Sequence, residues 1–257
     1  MKKTIYDLGA CRGENLHYYL SKADQVVAVE ANPENCDFIR EKFYREIKNQ
    51  NLILLNCIVG TETDVKTANF YIHKKNYLLG QFPAPKNFDN FRKIEVIYIN
   101  VLELIQTYGT AHYIKIDLEE YDHIVLEKIL NEKIKFNYIS AEIKKIQDFS
   151  LFFNLKDNCA FKFVDGHNVK FAYENFLENS AGPFGNDIKG SWISYENFYK
   201  LLEFKLTQSG WLDVHCSFID QKESTFLKFK YLFLDRLLNV KVKYKKKISR
   251  WKKKYIK

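Results

Sequence analysis

No stretch of the 257 residues reaches the roughly 18 uncharged apolar positions that a membrane span needs, and no apolar run follows Met1-Lys2-Lys3 before Asp7. Neither a transmembrane helix nor a secretory leader is expected. Cysteine pairing is missing too: Cys11, Cys36, Cys57, Cys159 and Cys216 are odd in number and scattered, with no CxxC. That argues against a disulfide framework and a zinc site, and it fits a reducing cytoplasm. The histidines show neither HxH nor HExxH spacing, so a histidine-based metal site has no support. With no internal repeat and no Pro- or Ser-rich linker, one domain is the expected organisation.

What is present is a core. Hydrophobic residues make up 46% and aromatics 16%, a composition that packs rather than disorders. The net charge of +8 is unevenly spread: Lys241 to Lys257 holds ten Lys or Arg and no acid, leaving thirty basic against thirty-two acidic residues elsewhere. The body is nearly neutral, and no basic stripe interleaved with aromatics supports a nucleic-acid groove, so nucleic acid is an unlikely partner. Phe226, Phe229, Phe233, Leu237 and Val240 recur at helical spacing. The sequence therefore predicts a Rossmann-like domain over 1–225 and a basic amphipathic C-terminal helix over 226–257. Residues 241–257 suit an anionic membrane surface or an acidic partner, or form a plain solvated end.

Along the chain, Thr4 to Leu8 reads as a buried strand ending at Gly9, followed by a helix from Glu14. Gln25 to Glu30 is a second strand, Asn32-Pro33-Glu34 opens a helix through about Ile47, and Leu52 to Val59 is a third strand. This βαβαβ order predicts an α/β fold with a mostly parallel sheet covered on both faces. Thr67 to His73 and Lys93 to Asn100 read as strands around an insertion at about 74–93. Val101 to Tyr108 is a helix, Tyr113 to Leu118 a strand, Glu119 to Leu130 a helix and Phe136 to Ile143 a strand. Phe161 to Val164 and Lys170 to Tyr173 suggest a hairpin around Asp165-Gly166-His167-Asn168. A Gly-rich loop over about 179–192 and helices from Tyr195 and Ser224 complete the reading.

Two motifs carry chemistry. Asp7-Leu8-Gly9-Ala10-Cys11-Arg12-Gly13 places glycines where a strand turns into a helix beside a ligand, with GxxxG rather than the dinucleotide GxGxxG spacing. A carboxylate two residues before the first glycine can hold a methionine ammonium but would repel a pyrophosphate. Val26 to Val29 then ends in Glu30, whose carboxylate can accept both ribose hydroxyls. Each motif alone is an ordinary strand-end feature. In order and spaced as they are, they favour a methyl donor, S-adenosylmethionine, over a dinucleotide.

The residues just quoted, with Asn15, Ala28-Val29-Glu30-Ala31-Asn32-Pro33 and Ile114-Lys115-Ile116-Asp117-Leu118-Glu119, resemble the FkbM family of methyltransferases over about residues 4–143. The resemblance implies a class I fold with a seven-stranded sheet. It also implies methylation of hydroxyls on sugars or related natural products. Glu120 departs from it, standing where that family usually has glycine after Asp-x-Glu. The donor-site candidates are Asp7, Gly9, Ala10, Gly13, Asn15, Glu30, Ala31, Asn32, Cys57 and Asp117.

A sugar hydroxyl is a poor nucleophile until a base shares its proton. Asp117, at the end of its strand, is the first candidate for that base or for positioning the hydroxyl, and Glu142 is the second. The alternative is that these acids cap a helix or bind the donor, and the two could also share a divalent ion. Substrate candidates are Glu119, the turn residue His167, and Phe184, Asn186, Asp187 and Trp192 in the Gly-rich loop. Aromatic faces and polar side chains there suit a carbohydrate, although a surface connection anchored by Trp192 has the same composition. Polysaccharide assembly in the cytoplasm, at the inner face of a membrane, is the expected setting. Another small polar or phosphate-derived acceptor, or a catalytically silent scaffold, is the rival reading.

Overall fold

The computed structural model describes residues 2–132, 134–165, 169–173, 182–209 and 212–220. β1 (Thr4–Leu8) and β2 (Gln25–Glu30) are buried at every position, as parallel strands covered on both faces must be. Between them α1 (Leu16–Lys22) turns Leu16 and Tyr19 onto the sheet. α2 (Pro33–Lys42) starts where expected, because Asn32 accepts the Glu34 amide at 3.1 Å and Pro33 fits the first turn. The helix expected to reach Ile47 breaks at Phe43, whose ring is fully buried, and resumes as α3 (Tyr44–Lys48).

The strand predicted over Leu52 to Val59 divides. β3 (Leu52–Asn56) pairs with β2, whereas β4 (Ile58–Gly60) leaves for a second sheet. There β4 lies parallel to β6 (Phe91–Asn100), and β5 (Thr67–His73) runs antiparallel to β6 on its other side. α4 (Val101–Tyr108), capped by Asn100 on the Leu102 amide at 2.8 Å, leads into β7 (Ala111–Ile116). A single 3-10 turn, Glu119–Tyr121, precedes α5 (Asp122–Asn131) and β8 (Tyr138–Ile143). α6 (Ile146–Phe149) and β9 (Ala160–Asp165) follow.

The predicted hairpin does not form: Val169–Ala172 is a short helix, α7, and Tyr173 makes an isolated bridge to Ile188. β9 pairs instead with β10 (Leu212–Ser217), a strand that follows α8 (Tyr195–Ser209) and that the hydrophobic pattern did not suggest. The main sheet runs β3-β2-β1-β7-β8-β10-β9, with β10 antiparallel to both neighbours. Strand order reverses between β1 and β7. In an open α/β sheet the crevice at the carboxyl ends of such a pair is the ligand site. The basic helix expected over 226–257 lies outside the described residues.

Candidate functional site

Gly9 ends β1 with φ +90°, and its amide and that of Ala10 both donate to the Val29 carbonyl at 2.9 Å. A Cβ at Gly9 would lie 1.9 Å from the Asp117 carbonyl oxygen, while the Asp117 amide donates to Leu8 at 2.9 Å. The crossing of two strand ends therefore requires glycine, which also lines the cavity that opens there. Gly13, φ +74°, has a similar internal reason: a Cβ there would meet Leu16 at 2.8 Å and Phe43 at 3.0 Å, so it seats α1 against α2.

At this crossing opens a cavity of about 540 Å³, within the usual range for a ligand of drug size. Its first end is ordered by Glu30. One carboxylate oxygen accepts the Cys11 amide at 2.8 Å and the other the Asn32 amide at 2.7 Å, and the Asn35 side chain also bonds to the carboxylate. Burial raises the Glu30 pKa to about 7, and those amide bonds oppose the rise. Ala31, Asn32 and Cys57 line this end beside Val29 and Ile58. Burial lifts the Cys57 thiol to about 12, so it is neutral packing.

One wall comes from the insertion between β5 and β6. Tyr77, Leu79 and Phe82 face the cavity, and Gln81 exchanges backbone hydrogen bonds with Tyr71 at 2.8 and 3.0 Å. The Arg12 guanidinium lies 3.7 Å over the Tyr77 ring and joins the insertion to the glycine loop.

The other end is acidic. Asp117, Glu119, Glu142 and Asp213 line it with Lys144 and Tyr121. Lys115 donates to Asp117 Oδ2 at 2.5 Å, and its side chain is 6% exposed. Lys144 Nζ stands 3.8 Å from Glu119, 3.4 Å from Glu120 and 3.6 Å from Glu142. Glu119 sits at φ +59°, a left-handed conformation uncommon outside glycine and typical of functional strain. Burial, then repulsion from Asp117, raises its pKa to about 7. Burial also raises Glu142, against the attraction of Lys144, and lifts Asp213 to about 7. The divalent ion considered between Asp117 and Glu142 finds lysine ammoniums in attendance instead. Among the described residues no His, Cys, Asp and Glu group is arranged to hold a metal.

Several expected site residues are elsewhere. Asp7 is fully buried in register with Lys115, lines no part of the cavity, and accepts no hydrogen bond at either oxygen. Burial raises its pKa to about 7, with Lys115 opposing. Ala10 belongs to the core, and Asn15 abuts Gly182, where a Cβ would come within 2.5 Å of its side chain.

Residues 182–192, the described part of the loop expected to bind carbohydrate, are anchored to the rest of the fold. Phe184 stacks on Tyr113 at 4.2 Å, and Asp187 accepts from Tyr18 at 2.7 Å and pairs with Lys22 at 2.6 Å. Asn186 accepts the Trp192 indole at 3.5 Å, and that ring stacks on Tyr138. Phe184 and Trp192 are thus packed in the core, while Asn186 stays exposed and Asp187 half-exposed. His167 lies outside the described residues. Sequence reasoning missed Lys115, Lys144 and Asp213. The signal available was period-two spacing, which puts Lys115 with Asp117, and Glu142 with Lys144, at alternate positions along one strand.

A sequence model described as Methyltransferase FkbM domain matches residues 7–169. Similar solved structures include a precorrin-6y C5,15-methyltransferase from Geobacter metallireducens, at 10% identity over 84% of this chain and 78% of that one, TM-score 0.38. An O-methyltransferase from Bacillus cereus in complex with SAH aligns at 11% identity over 84% and 74%, TM-score 0.39. TrmK of M. capricolum, in complex with S-adenosyl-homocysteine, aligns at 10% identity over 86% and 64%, TM-score 0.39. No curated protein matches the chain.

Proposed function

The chain belongs to the FkbM methyltransferase family and takes its methyl group from S-adenosylmethionine, and we propose that the group it methylates is a hydroxyl of a sugar or saccharide precursor. The observation that supports this acceptor is the acidic end of the cavity, where Asp117, Glu119, Glu142 and Asp213 converge. Carboxylates accept hydrogen bonds from hydroxyls. The same set opposes a phosphate-bearing group at the reacting position, because Lys144 is already shared among three acids.

The residues fit the donor. Glu30 offers its remaining acceptor capacity to the ribose hydroxyls, and Val29, Ala31, Ile58, Leu79 and Phe82 form an apolar slot for the base. Asp7 lies outside the cavity and balances part of the Lys115 charge. When bound, S-adenosylmethionine supplies an electrophilic methyl carbon on a cationic sulfur. This chain's part is to orient the acceptor and take its proton. Asp117, tied to Lys115 through one oxygen, orients the hydroxyl with the other. Glu142 removes the proton, since a base is most effective when its pKa lies near the working pH and burial has raised this one.

Among the described residues no helix is long and apolar enough to cross a membrane. The ten Lys or Arg of residues 241–257 support docking of a 1–225 catalytic domain to an anionic surface, in polysaccharide assembly. Labelled S-adenosylmethionine supplied with methyl glycosides, nucleotide sugars and amine controls tests the acceptor. Label on a sugar oxygen supports the proposal, and label on nitrogen alone overturns it.

A further inference from the structure

Lys115 occupies the middle of the sheet, on β7 between Asp7 of β1 and Ser140 of β8. A buried ammonium without partners costs several kcal/mol. Burial alone would lower its pKa, yet Asp117, Asp7 and Asp213 together raise it, so the lysine stays charged. The groups around it come from four strands: Asp7 on β1, Tyr113 and the neighbouring Asp117 on β7, Ser140 on β8, and Asp213 and His215 on β10. Tyr113 is engaged with Ser140 at 2.6 Å. Burial lowers the His215 pKa to about 3, with Lys162 and Lys115 adding to the shift, so the imidazole is neutral. Lys115 is therefore one fixed positive charge among three acids, and among these its contact is with Asp117, at 2.5 Å.

Lys144 is arranged differently. It is 36% exposed and its three carboxylates lie at 3.4 to 3.8 Å, a looser set that can rearrange when an acceptor enters. The inner ion pair is held by the sheet and the outer one faces the cavity mouth.

We propose that Lys115 is a positioning residue that pins one Asp117 oxygen, so that the other always presents to the acceptor hydroxyl and proton removal falls to Glu142. The assignment rests on reading this site as a hydroxyl methylation site. It explains why a lysine is tolerated near the carboxyl end of a largely buried strand: its ammonium sets the orientation of the acid that meets substrate. Asp7 and Asp213 balance the remaining field.

The test pairs Lys115→Met with Lys115→Arg, since arginine restores the charge with a different donor geometry. With a sugar methylated by the wild type, Lys115→Met is expected to raise the acceptor KM and lower kcat by about 10- to 100-fold. S-adenosylhomocysteine affinity, measured by calorimetry, should change less than about threefold. Lys115→Arg should recover at least half of the lost activity on a logarithmic scale. The alkaline-rising limb of the pH profile, set by Glu142, should keep its midpoint in both variants.

A second readout needs no acceptor. In protein labelled with 15N-lysine, a slowly exchanging ammonium signal is expected in the wild type and in Glu142→Gln, and should be lost in Asp117→Asn. Loss of donor affinity in parallel with turnover, or no rescue by arginine, overturns the positioning role. An ammonium signal indifferent to Asp117→Asn also overturns it. If the ammonium result holds while no hydroxyl is methylated, the ion pair stands and the hydroxyl-acceptor reading fails.

Discussion

The two ends of the cavity are built on opposite electrostatic plans. At the end proposed to hold the donor, Glu30 is held by neutral backbone amides of Cys11 and Asn32, in a geometry set by the strand and the glycine turn. At the acidic end Asp117 and Glu142 are held by side-chain cations, Lys115 and Lys144. Amide dipoles fixed by secondary structure cannot follow a ligand, and Lys115 is as fixed as they are, whereas the partly exposed Lys144 ammonium can. The difference suits one end to a constant ligand and the other to chemistry in which a proton leaves.

The largest expected effect is at the point where the ends meet. Gly9→Val puts a branched side chain against the Asp117 backbone carbonyl and forces φ +90° on a β-branched residue. It should abolish S-adenosylhomocysteine binding and lower the thermal midpoint, so retained binding by calorimetry would mean that the two ends are not locked together there. Next, Glu142→Gln should cut turnover by about 10² to 10⁴ while leaving donor affinity intact. Because the base works deprotonated and its pKa is raised, kcat/KM in the wild type should climb with pH above the ordinary carboxylate range. That limb should flatten in the glutamine variant.

A smaller change belongs to the donor end. Glu30→Ala should weaken S-adenosylhomocysteine by about 1.5–3 kcal/mol, the worth of charge-assisted hydrogen bonds, with kcat at saturating donor within a few fold of wild type. Smallest is Asp187→Asn in the anchored loop. Its ion pair with Lys22 is partly exposed and worth at most about 1 kcal/mol. A thermal shift of a few degrees with unchanged acceptor KM is expected, and a raised KM would return that loop to the substrate site.

The same contrast explains what could be read from the chain. The geometry around Glu30 was legible because it depends on backbone: β1 and β2 span the residues that their sequence predicts, and Gly9 and Glu30 mark strand ends. The acidic end was half legible. Asp117, Glu119 and Glu142 stand out as strand-end acids, but their lysines read as ordinary surface charges until the sheet places them. β10 was missed because Asp213 and His215 interrupt its apolar pattern while both point into the fold. Residues 182–192 were ambiguous for the converse reason. Glycine, aromatic and polar residues make a sugar-binding loop or an anchored connection with equal ease, and only the fold shows that Phe184 and Asp187 hold Tyr113, Tyr18 and Lys22.

A double-mutant cycle on Glu30→Ala and Glu142→Gln tests most directly whether the ends divide donor binding from proton transfer. The doubly substituted enzyme should bind S-adenosylhomocysteine as Glu30→Ala does and turn over, at saturating donor, as Glu142→Gln does, with coupling below about 0.5 kcal/mol in each quantity. Coupling well above that, or a Glu142→Gln enzyme that loses donor affinity as Glu30→Ala does, would contradict the division.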